Sequence, residues 1–230
     1  MKGREMTELT TRTMTGQAAD VLRALHNAAL FASTDRTLPV LCHVHFRVID
    51  GTQVAEATDR YAAGQAMIRS ADPGNGTLDD VLLDARDLRK AIGAFRRVLR
   101  IDASNHVRGQ ATVTITHVSG SDHAELTLAR PSRTPVTEKV AAWDSMQPWP
   151  AVTIDRNWAQ ERKRLARLDG RPWNRRHVFR RRMMALLAEV EGDSGSSWGD
   201  SVQLQFTTTG KPVFVTVGTD FRAMIMPVTE

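Results

Sequence analysis

The chain is poor in thiols and in aromatic rings. It has one cysteine and one tyrosine in 230 residues, and aromatic residues make up 6% of it. A lone thiol, Cys42, cannot close an internal disulfide, which fits a reducing compartment, so a cytoplasmic location is expected. There is no run of about 18 apolar residues to cross a bilayer, and the opening MKGREMTELTTRT is polar, without the apolar core of a signal peptide. Neither the GxxxxGKS/T phosphate loop nor the GxSxG nucleophile elbow occurs. The glycine-rich stretch ADPGNG (71–76) lacks the helix-opening context of a nucleotide loop. Cys42 lies next to His43, but adjacent strand residues point to opposite faces, so no activated thiol is expected. His43 and His45 share a strand face at a spacing that suits metal binding. No third ligand is evident nearby, and simple alternation on a solvent-facing strand accounts for the pair. The expectation is a protein without catalytic residues, metal or cofactor.

Positive charge is plentiful and unevenly placed. Net charge is +5, with 31 basic and 26 acidic side chains. Between Arg156 and Arg182 there are eleven basic residues against only Glu161 and Asp169, a local balance of +9, so the remaining residues sum to −4. Apolar side chains (Trp158, Leu165, Leu168, Trp173, Phe179, Met183) are interleaved with the arginines, which argues against plain disorder. Such a block fits either a solvated helix face or a nucleic-acid surface.

Periodicity sets out the elements. Residues 17–32 place Val21, Leu22, Leu25, Ala28 and Ala29 at helical spacing. Val44, Phe46 and Val48 alternate with polar residues, and Asp50-Gly51 then signals a hairpin. Further strands are expected over QVAEATD, YAAGQAMI and DDVLL. DARDLRKAIGAFRRVLR reads as a helix with Leu88, Ile92, Phe95 and Leu99 on one side. Its other side carries Arg86, Arg89, Lys90, Arg96, Arg97 and Arg100. Strands ATVTITHV and HAELTLA follow, then a proline-rich stretch (131–155) read in part as a connector. Two arginine-rich helices (about 157–168 and 174–190) and three closing strands, SVQLQF, KPVFVTV and FRAMIMPV, complete the chain. Helices on one face of antiparallel sheets give an α+β class. The expected division is a disordered tail over 1–13, a domain over 14–150, and a second, partly truncated domain over 151–230 holding the arginine-rich helices.

Three segments carry a resemblance. The first includes Arg36, Thr37, Leu38, Pro39 and Leu41, then Asp50-Gly51, then Ala57, Thr58 and Asp59. In the second, Ala85, Arg86 and Leu88 stand at a strand-to-helix junction, with Asp84 where a proline is usual. The third is the ending, with Lys211-Pro212-Val213 and Met226-Pro227-Val228. In this order they resemble the bacterial beta sliding clamp, the ring-forming processivity subunit of DNA polymerase III. The chain resembles one complete clamp domain over 14–150 and the second half of another over 173–230, and its crowded third and fourth helices depart from the family layout.

The resemblance implies a non-catalytic, homo-oligomeric protein that holds double-stranded DNA without reading its sequence. It also implies recruitment of DNA polymerase and clamp-loader-type proteins through their short apolar peptides. Together with the basic helix faces it marks Arg36, Arg86, Arg89, Lys90, Arg96, Arg97, Arg175, Arg176, Arg180 and Arg181 as candidate DNA contacts. Arg36 beside Asp35, and Arg86 between Asp84 and Asp87, have surface ion pairing as the alternative role. Met224, Met226 and Pro227 are the candidate partner site, because flexible methionines suit a pocket that takes several ligands. Core filling by Met224 and Met226 is the competing reading. A clamp-fold regulatory or DNA-binding protein that never closes a ring is the other functional class, and mass in solution separates the two.

Overall fold

The computed structural model describes residues 10–71, 76–101, 109–144, 149, 155, 159–160, 163, 179, 181–192, 201–205 and 212–227. Eleven antiparallel strands lie in the order β1-β6-β7-β8-β5-β2-β3-β4-β11-β10-β9. They are β1 (Thr11–Gln17), β2 (His43–Ile49), β3 (Thr52–Thr58), β4 (Ala62–Ile68), β5 (Val81–Asp84), β6 (Thr112–Val118), β7 (His123–Arg130), β8 (Arg133–Asp144), β9 (Val202–Gln205), β10 (Val213–Val217) and β11 (Phe221–Ile225). The described helices are α1 (Ala18–Leu30), α2 (Ala85–Ile101) and α3 (Arg181–Glu189), with a short 3-10 turn at Pro39–Cys42. The α+β arrangement with helices on one face of antiparallel strands is the expected one.

Alternation decides which face meets the helices. Val44 and Phe46 of β2, Ala55 and Ala57 of β3, and Ala62 and Ala66 of β4 join Leu22 and Leu25 of α1 in the main core. From α2 the same core takes Leu88, Ile92 and Phe95, the apolar stripe that the helical spacing of this segment predicts. Burying such side chains contributes roughly 1.5–3 kcal/mol each. The Asp50-Gly51 hairpin forms as its residues require, with both φ angles positive, 50° and 77°.

Two elements differ from the sequence expectation. Strand β1 begins at Thr11, inside the stretch expected to be frayed, because it pairs over its whole length with β6, from Thr11↔Val118 to Gln17↔Thr112. The proline-rich stretch contains a twelve-residue strand, β8, paired with β7 through Arg133 and Val136–Ala141, with a register shift at Thr134 and Pro135, and with β5 by its last three residues. Pro135 sits among its exposed residues, a placement that proline tolerates at an unpaired strand edge.

The C-terminal strands are not a separate layer. β11 pairs with β4 from Ile225↔Ala62 to Phe221↔Ala66, and Phe221 packs its ring 5.5 Å from Phe31. Asp220, in the turn before β11, holds Arg23 of α1 at 3.0 Å and Arg69 at 2.6 Å. Residues expected in two domains therefore share one sheet and one core. Gly64 lies at this junction, where an added Cβ would stand 2.5 Å from the Phe31 ring. Because that ring is buried against Phe221, Gly64→Ala is expected to cost about 1–3 kcal/mol, measured by urea unfolding. A neutral result would mean that β4 and α1 are less tightly apposed.

Candidate nucleic-acid interface

The basic face of α2 is fixed at its start by Asp84. Its carboxylate accepts the backbone N–H of Arg86 at 2.8 Å and of Asp87 at 3.1 Å, capping two of the helix's otherwise unbonded amides. Its second oxygen takes Arg36 at 2.7 Å. Burial pushes this carboxyl up, but the Arg36 guanidinium and the two amides outweigh it and hold it below the usual aspartate range. Asp84 thus supplies the cap of α2 itself.

Asp84→Ala is expected to lower stability by about 1–2 kcal/mol near neutral pH. A depressed folded-state value stabilises above the unfolded value and loses that contribution as pH falls through the folded one. The gap between parent and variant should therefore narrow below roughly pH 4. Urea titrations at several pH values check both points.

Beyond the cap, the candidate cations fall into two groups. Arg36 is committed to Asp84, Lys90 to Asp87 at 2.8 Å, and Arg96 to Glu191 at 2.7 Å. Arg89 donates to the Ala29 carbonyl near the C-terminal end of α1, where burial, with Arg182 nearby, lowers its pKa. Arg86 and Arg97 are exposed, and neither guanidinium has a hydrogen-bond or ion-pair partner among the described residues. They are eleven residues apart, three helical turns, so they line one side of α2 about 16 Å apart. Arg181 and Arg182 are exposed at the start of α3. Arg175, Arg176 and Arg180 lie outside the described residues.

Helix α3 reaches this layer through contacts that sequence spacing does not reveal. Met183 and Leu187 are buried in the shared core. The buried Asn27 side chain of α1 binds the Glu191 backbone at both ends, giving to its carbonyl at 2.8 Å and accepting its N–H at 2.9 Å. Glu191 in turn holds Arg96, and its carboxylate stands 3.8 Å from His26. Arg96 is therefore an anchor for α3, one helical position off the Arg86–Arg97 line.

The candidate partner residues lie on the other side of the sheet. Met224 packs with Phe214 and Ala63 in a small cluster separate from the main core. Met226 is exposed, and its N–H donates to the Tyr61 carbonyl at 2.8 Å. Tyr61 is exposed as well, and Pro227 is half-buried. Met224 and Met226 therefore do not fill the helix-facing core.

The paired histidines correct a sequence expectation. His43 and His45 do not face solvent, being 1% and 2% exposed. His43 packs its ring 4.1 Å from Trp143, and both ring nitrogens of His45 face carboxylates, Glu56 at 3.1 Å and Asp80 at 3.2 Å. Among the described residues, no group of three or more histidines, cysteines or carboxylates is placed to hold a metal ion. No helix there is long and apolar enough to cross a membrane.

No protein-family model matches the chain, and no curated protein matches its sequence. Solved structures do match its shape. The DNA polymerase sliding clamp of Bacillus subtilis superposes with a TM-score of 0.60 at 12% identity, covering 100% of this chain and 67% of that one. The fold is that of a bacterial DNA sliding clamp. The Thermotoga maritima beta subunit gives 0.58 at 11% identity over 96% of this chain and 65% of that one. The Pseudomonas aeruginosa sliding clamp gives 0.58 at 12% over 100% and 69%. The present chain thus spans about two thirds of the length of the clamps it matches. In this clamp fold, α1, α2 and α3 form one layer and the sheet its back.

Proposed function

We propose that this clamp-fold protein is a non-catalytic processivity factor that holds duplex DNA on its helix layer without sequence preference. The observation that carries the reading is the set of exposed arginines on that layer that have no ion-pair partner among the described residues, Arg86 and Arg97 on α2 with Arg181 and Arg182 on α3. Exposed guanidiniums can replace counterions condensed on phosphate, and release of those ions drives binding. Phosphate contacts carry no base information, so the grip favours no site. Polymerase- and loader-type partners would dock with short apolar peptides beside Met224, Met226 and Pro227, on the opposite face from DNA. Copies would associate through the two ends of the strand order, β1 and β9, since an open sheet edge is a ready template for another strand. No cofactor is needed for any of these roles.

The test is a salt titration of duplex binding with mass measurement in the same buffers. Expected are binding to unrelated duplexes with equal affinity, a steep loss as salt rises, and an oligomer. Absence of binding at low salt overturns the DNA reading. A monomer that still binds leaves a clamp-fold DNA-binding protein that closes no ring. The second reading draws on the density of basic residues between Arg156 and Arg182.

A further inference from the structure

The sheet face turned away from the helices carries a row of side chains at one register across eight strands. It runs from Leu82 of β5 through His45, Glu56 and Gln65 to Arg222 of β11, with further paired positions at either end. Such a face is ordinarily the wet side of an antiparallel sheet, yet His45, Glu56 and Gln65 are all buried. Two residues that follow β8 in the chain sit on it. The Trp149 ring lies over His45, with centroids 5.0 Å apart and planes 28° apart, and its indole N–H donates to Glu56 Oε1 at 2.8 Å. Asp155 takes both terminal nitrogens of Arg47 at 2.6 and 2.7 Å.

The receiving groups are oriented by the sheet itself. Glu56 Oε2 accepts Gln65 at 2.8 Å and Arg47 at 3.0 Å, and Oε1 accepts His45 at 3.1 Å. If Trp149 leaves, Glu56 keeps three protein donors. If Asp155 leaves, Arg47 keeps Glu56, and the Asp155 carboxylate, already 45% exposed, passes to water. Departure of the occupant strands no buried charge, which separates an exchangeable site from a core contact. Trp149 and Asp155 are held through their side chains, and the residues flanking Trp149 are Pro148 and Pro150, which have no N–H to give to a strand ladder.

We infer that His45, Arg47 and Glu56 form a receptor for a peptide segment carrying an indole donor followed by a carboxylate. Trp149 and Asp155 fill it in cis, and a protein segment of the same chemistry can take it in trans. A preformed acceptor and a preformed cation spare the ligand the cost of ordering its site. The inference is independent of DNA binding and of the Met224–Met226 patch.

The probe is a fluorescein-labelled peptide with the sequence of residues 145–155, SMQPWPAVTID, measured by anisotropy against the full chain. It should bind the Trp149→Ala/Asp155→Ala double variant at least about tenfold more tightly than the parent, because the parent's own segment competes at high effective concentration. The same peptide with alanine for tryptophan should bind neither. Equal binding to parent and variant, or none to a variant whose circular dichroism matches the parent, overturns the receptor. A second measurement needs no destabilising change. In 5-fluorotryptophan-labelled parent, the Trp149 resonance, assigned by its loss in Trp149→Phe, should move when unlabelled peptide is added in excess. A resonance that stays fixed at the highest peptide concentration overturns exchange in trans.

Discussion

Glu56→Ala is expected to cost about 3–5 kcal/mol, because it leaves buried donors without an acceptor. Glu56 is 1% exposed and binds His45, Arg47, Gln65 and Trp149. Removing the carboxylate takes the acceptor from Gln65, Trp149 and one His45 nitrogen at once and leaves Arg47 only the half-exposed Asp155, whereas removing any one donor leaves the carboxylate others. Against a typical domain stability of about 5–15 kcal/mol, a loss of this size shifts the urea midpoint strongly. Glu56→Gln keeps acceptor oxygen and shape but loses the charge, so it should fall between parent and alanine variant. Acid should act in the same direction. Burial pushes the Glu56 carboxyl up, but His45 and Arg47 together outweigh it and hold it below the ordinary glutamate range. A depressed value means stability that is present above the unfolded-state value, about 4.3, and is lost as pH falls through the folded one. The parent should therefore weaken below roughly pH 4, and the alanine variant should show less of that decline. A cost under about 1 kcal/mol for Glu56→Ala would show that water, and not the protein, satisfies these donors.

Much of this architecture was legible because local chemistry and tertiary fate agree. The stripe Leu88, Ile92 and Phe95 reads as the buried side of a helix and is one, and Asp50-Gly51 reads as a hairpin and is one. The misreadings have a common physical source, which is burial supplied by distant chain. His43, His45 and Arg47 alternate with apolar neighbours and so look like a wet strand face. They are covered because residues about a hundred positions away lie on that face, Trp143 against His43, Trp149 over His45 and Asp155 on Arg47. Strand β8 was half hidden because its first residues make a ladder on one side only, so neither an apolar run nor strict burial marks it. The role of Asp84 shows the opposite case. An aspartate at a strand-to-helix junction is visible in the sequence, but only the amides of Arg86 and Asp87 on its carboxylate show what it does there. Among the arginines, composition located the positive charge but could not say which guanidiniums were already engaged, since Arg96 finds Glu191 across 95 residues.

That partition makes the DNA prediction sharper than a count of positive residues. Replacing Arg86, Arg97, Arg181 and Arg182 together with alanine should cut duplex affinity about a thousandfold or more at 0.1 M salt, uniformly across sequences. If all four meet phosphate, the slope of log affinity against log salt should become shallower by about 3.6, since each contact contributes about 0.9. The matched control is Arg36, Lys90 and Arg96 to alanine. Each of these already faces a carboxylate, Asp84, Asp87 or Glu191, so its charge is neutralised before DNA arrives. The control lowers affinity by exposing those carboxylates but should leave the slope within about one of the parent, because the slope counts phosphate contacts and not net charge. Far-UV circular dichroism must first show both variants folded, most of all where Arg96 helps to seat α3 through Glu191. Equal slope changes in the two sets would mean that ion pairing does not sort these cations and that DNA strips the carboxylates away. Loss confined to one sequence would mean base readout, which a helix face built from phosphate-seeking arginines does not supply.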